Sequence, residues 1–209
     1  DGRGATTNNF LERVPGEYWY INRRFDYSVD PSPIINEIPL TKGVMDPATN
    51  QITWTNPVTL SAPFYTGFDG NIRYTQPLLA FAPDGQTGYA ATLGDLTGGL
   101  DSVYSPIFWT TKDGGVNWSP AEEVDMRQFT GLSDSLQSFW INVTADGDTV
   151  PAGSGIPTCG FDAELTVDAN GNPHLICIVG NASAFDGTSY QRPSYSISSG
   201  LRMFVYDFT

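Results

Sequence analysis

Short apolar runs separated by turn residues dominate the hydrophobic pattern of this 209-residue chain. One such pattern occurs twice, because residues 79–94 (LAFAPDGQTGYAATLG) align without gaps with residues 165–180 (LTVDANGNPHLICIVG). In each copy an apolar strand runs into a turn that contains Asp84-Gly85 or Asn170-Gly171, and these residue types tolerate the positive φ of tight hairpin turns. The pattern therefore predicts two antiparallel hairpins.

The second strand of each predicted hairpin lacks polar alternation. Residues 89–93 and 174–179 are nearly all apolar. A strand with this composition is typical of a sheet that is covered on both faces. We therefore expect another layer of structure on each side of both hairpins.

A second recurring pattern places a tryptophan a few residues after a turn, followed by a proline and a short polar strand. It occurs at residues 52–58 (ITWTNPV) and 116–121 (VNWSPA). Combined with the hairpins, it describes a four-stranded unit of two inner strands, a third strand, a turn with Trp and a short outer strand. Repetition of that unit predicts an all-β fold, a β-propeller of four-stranded antiparallel blades.

The repeats divide the chain into about three blades within one partial propeller region, residues 1–209. The predicted blades are residues 10–60, 64–127 and 156–209, the last broken off before its outer strand. A polar insertion, residues 128–155, separates the second and third blades, with some structure expected around 139–141. Helix patterns are scarce, and only residues 121–127 are predicted to form a turn or two of helix. Both ends of the sequence interrupt the pattern, so we expect a segment of a longer protein.

Composition narrows the classes of protein that fit. Hydrophobic residues make up 40% and charged residues 16%, which predicts a packed core, and 22 glycines and 15 prolines suit many tight turns. The net charge of −13, with no basic run longer than Arg23-Arg24, argues against nucleic-acid binding, which needs a cationic surface. No stretch approaches the roughly 20 apolar residues of a membrane span.

Two cysteines and one histidine are the remaining candidates for special chemistry. Cys159 and Cys177 lack the spacing of a zinc site, and a hairpin turn near Gly171 would place Cys177 opposite about Glu164. A disulfide within that hairpin is then out of register, although one between neighbouring strands stays open. His174 is predicted to be packed and hydrogen-bonded rather than catalytic.

Metal and cofactor patterns are weak. Asp95, Asp101 and the glycine-rich residues 97–99 form a candidate calcium loop without the spacing of an EF-hand. A Gly-x-Ser-x-Gly elbow and a phosphate-binding loop are both missing from the sequence. Apart from this calcium candidate, we predict no cofactor and no metal site.

One short segment is more specific than the rest, residues 111–118 (TKDGGVNW). Its turn is predicted to close on itself, since Asp113 can accept hydrogen bonds from turn amides and Gly114-Gly115 can supply positive φ angles. Trp118 can bury its ring and Thr111 can add a hydroxyl hydrogen bond. The role predicted for Asp113 is therefore structural rather than catalytic.

These residues match the Asp-box (BNR) pattern Ser/Thr-x-Asp-x-Gly-x-x-Trp, and the chain resembles the Asp-box propellers at Thr111, Asp113, Gly115 and Trp118. That family includes sialidases, other glycoside-active propellers and non-catalytic surface proteins. The segments LAFAPDGQTGY, SPIFWTTKDGGVNW and LTVDANGNPHLI further resemble large secreted propellers of Bacteroidetes that leave the cell by the type IX system. The resemblance implies a secreted or cell-surface protein, with the secretion machinery as a partner.

Surface modification patterns fit the same origin. Asp-Ser/Thr-aliphatic triplets, which carry O-glycans in exported Bacteroidetes proteins, place candidate sites at Ser102, Ser135 and Thr149 in predicted loops. N-glycosylation sequons begin at Asn117, Asn142 and Asn181, and they have meaning only in a eukaryotic host.

The resemblance also raises the question of catalysis. Sialidases use an arginine triad for the substrate carboxylate, a Tyr/Glu nucleophile pair and an aspartate acid/base, with the first arginine in an Arg-Ile-Pro signature. Arg73 is the nearest candidate here, but three residues separate it from the next proline, and a solvated position at a strand entry is predicted for it. Glu164 is the acid best placed on a predicted inner strand, and a hairpin salt bridge or an exposed edge explains it equally well. Glu122 and Glu123 decide nothing.

We therefore predict a non-catalytic propeller, with no catalytic residue in this segment, that binds glycan or protein partners or travels as type IX cargo. The alternative is a sialidase-like glycoside hydrolase whose catalytic residues lie partly outside the segment. A structural filament or adhesin module is a third class. Converging arginines with a Tyr/Glu pair would favour the enzyme, whereas an outward Arg73 and a Glu164 bonded within its own sheet would disfavour it.

Overall fold

The computed structural model describes most of the chain. The described residues are 9–28, 30, 33–66, 72–96, 103–137, 142–143, 149–150, 157–183, 194–197 and 204–209. Nearly all regular structure in them is antiparallel β-sheet, which confirms the all-β class.

The first sheet is an antiparallel up-and-down sheet with four positions across it and five strands. Its strands are β1 (Phe10–Val14), β2 (Glu17–Ile21), β3 (Ile38–Asp46), β4 (Gln51–Trp54) and β5 (Val58–Leu60). Both β4 and β5 pair with β3, and Leu40 of β3 lies opposite Ile21 on one side and Val58 on the other. The strands β4 and β5 therefore lie one after the other along the same edge of β3.

The second and third sheets repeat the up-and-down order. The second contains β6 (Leu78–Phe81), β7 (Gly88–Gly94), β8 (Ser105–Thr111) and β9 (Glu122–Glu123), paired in chain order. A small hairpin of β10 (Asn142–Val143) and β11 (Thr149–Val150) follows. The third sheet contains β12 (Pro157–Val167), β13 (Pro173–Ser183), β14 (Ser194–Ile197) and β15 (Phe204–Phe208), with β14 and β15 both paired to β13.

The second sheet is packed between the other two, and its strands alternate between the two cores. One core joins it to the first sheet through Leu79, Ala90, Ile107 and Trp109, which pack with Trp19, Ile21, Ile38 and Leu40. The other core joins it to the third sheet through Leu78, Ala80, Ala91 and Leu93, which pack with Leu165, Leu175, Cys177 and Val179. Burial of this apolar surface is the main stabilising contribution to the stack.

Both predicted hairpins are confirmed. The turn between β6 and β7 places Gly85 at φ +67°, and the turn between β12 and β13 places Gly171 at φ +85°. The strand β7 is covered on both faces as predicted, but the same prediction for β13 is wrong, since Ile176 is 41% exposed and Val205 on the neighbouring β15 is 75% exposed. The reason is that only one face of the third sheet packs against the second.

The helix prediction is wrong in position. Glu122 and Glu123, expected in a helical turn, form β9 opposite Phe108 and Ile107 of β8. A single 3₁₀ turn, Met126–Gln128, follows it, and the helix α1 (Thr130–Gln137) lies inside the predicted surface insertion. Leu132 and Leu136 of α1, four residues apart, are buried in the core with the third sheet, which is why a short helix forms there. Residues 139–141 lie outside the described part of the chain.

The predicted register of the two cysteines needs correction. Cys177 lies opposite Ala163, one position from the predicted Glu164, whereas Cys159 lies opposite Val179. Residues 160–162 thus face a single residue of β13, so β12 carries a bulge. This bulge brings the Cys159 and Cys177 sulfurs to 3.5 Å of each other.

The only histidine of the chain is hydrogen-bonded between strands, as predicted. The Nδ1 atom of His174 lies 2.9 Å from an Asp207 carboxylate oxygen on β15, and its Nε2 atom lies 3.9 Å from a carboxylate oxygen of Asp168. The hydrogen bond and charge of Asp207, with a smaller contribution from Asp168, raise the pKa of His174 above its usual 6.5.

This pair makes a testable prediction about pH. We expect the His174 ring resonances to titrate by NMR with a midpoint above 6.5, and an Asp207→Asn variant to titrate at a lower pH, because the neutral amide removes the charge that favours the imidazolium. The stabilisation by this pair is full below pH 6.5 and disappears as pH rises through the elevated pKa. An unchanged midpoint in the variant would contradict the pairing of β13 with β15.

Within the described residues, none of the helices is long and apolar enough to cross a membrane.

Candidate functional site

The turn of residues 111–118, which matches the Asp-box pattern in sequence, lies between β8 and β9 and is closed by a network of hydrogen bonds. The Thr111 hydroxyl donates to an Asp113 carboxylate oxygen at 2.9 Å and accepts from the Gly115 amide at 2.9 Å. The backbone and side-chain amides of Asn117 donate to the same carboxylate at 2.9 and 2.7 Å. The Asn117 hydrogen bonds, backbone first, lower the pKa of Asp113 to about 2. The carboxylate is therefore ionised and used by the turn, as the sequence predicts.

The same turn packs against the first sheet. Gly114 and Gly115 have φ angles of +69° and +90°, and a Cβ atom on Gly115 would lie 2.6 Å from Cη2 of Trp19. Trp118 is partly buried, donates its indole N–H to the Gly115 carbonyl at 3.1 Å and meets the Phe81 ring edge-on at 6.3 Å. The box thus joins two sheets rather than forming an exposed reactive site.

An ionised glutamate holds Trp19 in place beneath the turn. Glu17 accepts a hydrogen bond from the Trp19 indole N–H at 2.9 Å and pairs with Arg13 and Lys42. Burial raises the pKa of Glu17, but the hydrogen bonds from Arg13, Lys42 and Trp19 outweigh it and lower the pKa to about 2. The position of Trp19, and therefore the space left for Gly115, is fixed by this group.

A second feature lies where the three sheets meet, a cavity of about 400 Å³. Arg23 follows β2, residues 73–76 precede β6, Tyr104 precedes β8, and Phe161 lies in the bulge of β12. Its polar and aromatic lining comprises Arg23, Arg73, Tyr74, Thr75, Gln76, Tyr104 and Phe161. Segments that adjoin the first and second sheets and a strand of the third therefore contribute to one concave site.

The guanidinium of Arg23 is positioned by a chain of side-chain contacts. Its Nε donates to the Gln76 side-chain oxygen at 3.2 Å, and the Gln76 amide donates to the Asn22 side-chain oxygen at 3.0 Å. The Arg23 guanidinium carbon also lies 5.7 Å from the centre of the Phe25 ring. The charge is thus held at the cavity wall in a defined orientation.

Arg73, which lines the same cavity as Arg23, is held in place by its backbone. The amide of Arg73 donates to the Tyr65 carbonyl at 3.1 Å, and its carbonyl accepts from the Asp95 amide at 3.3 Å. Isolated bridges at Ile72 and Tyr74 hold the residues on either side. The sequence predicts a solvated strand-entry residue here; the structure instead places a half-buried Arg73 in the cavity wall.

None of the described residues that line the cavity is an aspartate or a glutamate. Glu164 projects from the open face of the third sheet, opposite Ile176, rather than into the cavity. Glu122 and Glu123 lie on β9, where burial raises the pKa of Glu123. Glu164, Glu122 and Glu123 are therefore all absent from the lining of the cavity.

Of the two tyrosines in the cavity wall, Tyr74 is not activated for nucleophilic attack. The Tyr74 hydroxyl donates to the Ile35 carbonyl at 3.1 Å, and burial raises its pKa to about 12. A nucleophilic tyrosine needs a nearby base that lowers the barrier to losing its proton. The burial of Tyr74 instead makes its hydroxyl proton harder to remove.

The remaining predicted sites are dispersed. Ser135 lies in helix α1 with its hydroxyl donating to the Gly131 carbonyl at 2.7 Å, and Thr149 lies in β11, so the loop placement predicted for both is wrong. Ser102 and the calcium-loop residues 97–101 lie outside the described residues. Over the part of the chain that is described, no group of three or more His, Cys, Asp or Glu side chains is arranged to hold a metal ion.

Comparison with known proteins adds no relative to this picture. No protein-family model, no curated protein and no solved structure matches the chain. What the chain binds has to be inferred from the cavity and the residues around it.

Proposed function

We propose that this chain is part of a secreted or cell-surface Asp-box β-propeller that binds glycans carrying a carboxylate. The observation that carries the proposal is the convergence of Arg23 and Arg73 on one aromatic-lined cavity. The chain has only 10 Lys and Arg residues against 23 Asp and Glu. Two arginines on one cavity wall therefore create a local site for an anion within an acidic protein.

The arrangement of the sheets supports the propeller. Three up-and-down antiparallel sheets stack face to face, and the first strand of the second sheet, β6, contacts the first strands β1 and β12 of its neighbours. First strands that gather on one side are expected of blades arranged around an axis. The outer faces of the end sheets also expose apolar side chains suited to further blades: Phe10 and Trp54 on the first, Ile176 and Val205 on the third.

The chemistry of the cavity suits an acidic sugar. A guanidinium presents a planar set of N–H donors that matches a carboxylate, and two of them can hold it from different directions. Phe161 and Tyr104, whose rings meet edge-on at 5.4 Å, add apolar surface for the sugar ring. A volume of about 400 Å³ is sufficient for one or two sugar units.

Binding fits the geometry better than hydrolysis. Glycosidases act through two carboxylates, or through an activated tyrosine in sialidases, and the described lining offers two arginines and an unactivated Tyr74. The paired arginines are also the one observation that favours the alternative, a sialidase-like hydrolase completed by residues elsewhere. The proposal includes export by the type IX system, which rests on the sequence resemblance alone. The export machinery would then be a protein partner of this chain.

The test is a comparison of two glycans that differ by one acidic sugar. The chain is titrated by calorimetry with 3′-sialyllactose and with lactose, and it is assayed for release of fluorophore from a 4-methylumbelliferyl sialoside. We expect saturable binding of sialyllactose, no measurable binding of lactose and no release of fluorophore. Equal binding of both glycans would contradict the proposal, and hydrolysis of the sialoside would establish the alternative.

A further inference from the structure

Two thiols face each other in the core between the second and third sheets. Cys159 and Cys177 are almost fully buried, at 0% and 3% exposure, and their Sγ atoms are 3.5 Å apart without a bond between them. The sulfur of Met126 lies 3.6 Å from the Cys159 sulfur on another side. The chain has no other cysteine, so each thiol has one candidate partner.

The close approach of the thiols depends on the bulge in β12. The pairing of residues 163–167 with β13, extended without a bulge, would place Cys159 opposite Asn181, four residues from Cys177. Because residues 160–162 face only Ile178, Cys159 instead lies opposite Val179. Cys159 and Cys177 thereby become diagonal neighbours on the same face of the sheet, and their sulfurs come within 3.5 Å of each other.

We propose that Cys159 and Cys177 form a disulfide when the chain folds in an oxidising compartment. Two S–H bonds break and one S–S bond forms, while two electrons and two protons pass to a disulfide oxidant, whose own S–S bond is reduced to two thiols. Oxidised glutathione or a dithiol oxidoreductase fulfils this role through a mixed disulfide. The inference does not depend on the proposed glycan binding.

Burial decides when the exchange takes place. The interior raises the pKa of the Cys159 thiol, and thiolate is the reacting form, so the folded core disfavours exchange. The reaction therefore belongs to the stage at which the β12–β13 hairpin exists but has not packed on the second sheet. Once the core closes over it, the bond is shielded from reductants.

The disulfide would restrict the movement of the bulge formed by residues 160–162. Phe161 sits in that bulge, 62% exposed, with its ring 5.4 Å from the Tyr104 ring at the cavity. A bond from Cys159 to Cys177 ties the strand on one side of residues 160–162 to the strand opposite. The backbone that presents Phe161 is then held at both ends, which keeps one wall of the cavity in place.

The first test counts free thiols. The chain is refolded with a mixture of oxidised and reduced glutathione, unfolded in guanidinium with N-ethylmaleimide, and weighed by intact mass spectrometry. We expect a chain lighter by two hydrogens with no adduct, and two adducts when a phosphine reductant precedes the maleimide. Two adducts without the reductant would overturn the proposal.

The second test measures stability on the wild-type chain, so that no variant has to fold for the proposal to be judged. Two samples are compared, one refolded with the glutathione mixture and one refolded with reductant. We expect the thermal midpoint of the reduced sample to be about 5–10 °C lower, because a disulfide between residues 18 positions apart no longer restricts the unfolded state. The Cys177→Ala variant is the matched control and should show no dependence on reductant. A wild-type thermal midpoint that is the same with and without reductant would overturn the inference. An equal drop in the midpoint of the Cys177→Ala variant would overturn it as well.

Discussion

Replacing Gly115 by alanine is expected to lower the free energy of unfolding by about 3–4 kcal/mol, combining left-handed backbone strain with overpacking. The glycine has φ +90°, and a Cβ atom there would lie 2.6 Å from Cη2 of Trp19. Trp19 cannot easily retreat, since it is 3% exposed and its indole N–H is bound to Glu17. Urea denaturation followed by fluorescence measures the loss.

Gly16 supplies a matched control within the same chain. It has φ +80°, close to that of Gly115, but a Cβ atom there would meet nothing within 4 Å. The Gly16→Ala variant therefore carries the backbone strain without the clash, and we expect a loss of about 1 kcal/mol. Equal losses in the two variants would show that the turn of residues 111–118 does not pack on Trp19 as described.

Replacing Arg73 by glutamine is expected to weaken binding of 3′-sialyllactose by roughly 30-fold or more, the loss of one charge-assisted contact to a carboxylate. Glutamine keeps hydrogen-bonding capacity and a similar stem, so the change removes mainly the charge and the forked donor geometry. Calorimetric titration measures the affinity, and the thermal midpoint checks that the fold is retained. Arg23→Gln is expected to act in the same direction.

The control for both variants is Arg24→Gln. Arg24 follows Arg23 directly, but its exposed side chain pairs with Glu37 and it is not among the residues that line the cavity. Its replacement changes the net charge by the same amount as the other two. An Arg24→Gln variant as weak as Arg73→Gln would show that general charge, rather than the cavity, attracts the glycan.

Local features of the fold were predictable from the sequence. Asp84-Gly85 and Asn170-Gly171 mark their hairpins because the positive φ angle is a property of the turn residues themselves. The hydrogen bonds that close the turn of residues 111–118 are equally local, since Thr111, Asp113 and Asn117 lie within seven residues. Such features need no knowledge of the rest of the chain.

Features that depend on distant contacts were not predictable in the same way. Helix α1 forms because Leu132 and Leu136 pack into the third-sheet core, although their i, i+4 spacing was a pattern that could have indicated it. The bulge in β12 shifts Cys159 to a position opposite Val179 and brings the two thiols into contact across 18 positions of sequence. Neither leaves a mark in the local sequence.

The cavity itself is the clearest case. Arg23 reaches Gln76 across 53 positions of sequence, and Phe161 comes from a third sheet. Of its members the sequence singled out Arg73, as the nearest match to the first arginine of a sialidase, whereas Arg23 was noted only as part of the longest basic run. Convergence of this kind is produced by the stacking of sheets and becomes visible only in three dimensions.

Recognition of a carboxylate by Arg23 and Arg73 can be tested with a sialoside and its methyl ester, which differ by one methyl group that removes the negative charge. Both compounds are titrated by calorimetry into the wild-type chain. We expect the free acid to bind and the ester to bind at least about tenfold more weakly, a difference of about 1.4 kcal/mol. Equal affinity for acid and ester would contradict the assignment of Arg23 and Arg73 as the carboxylate site.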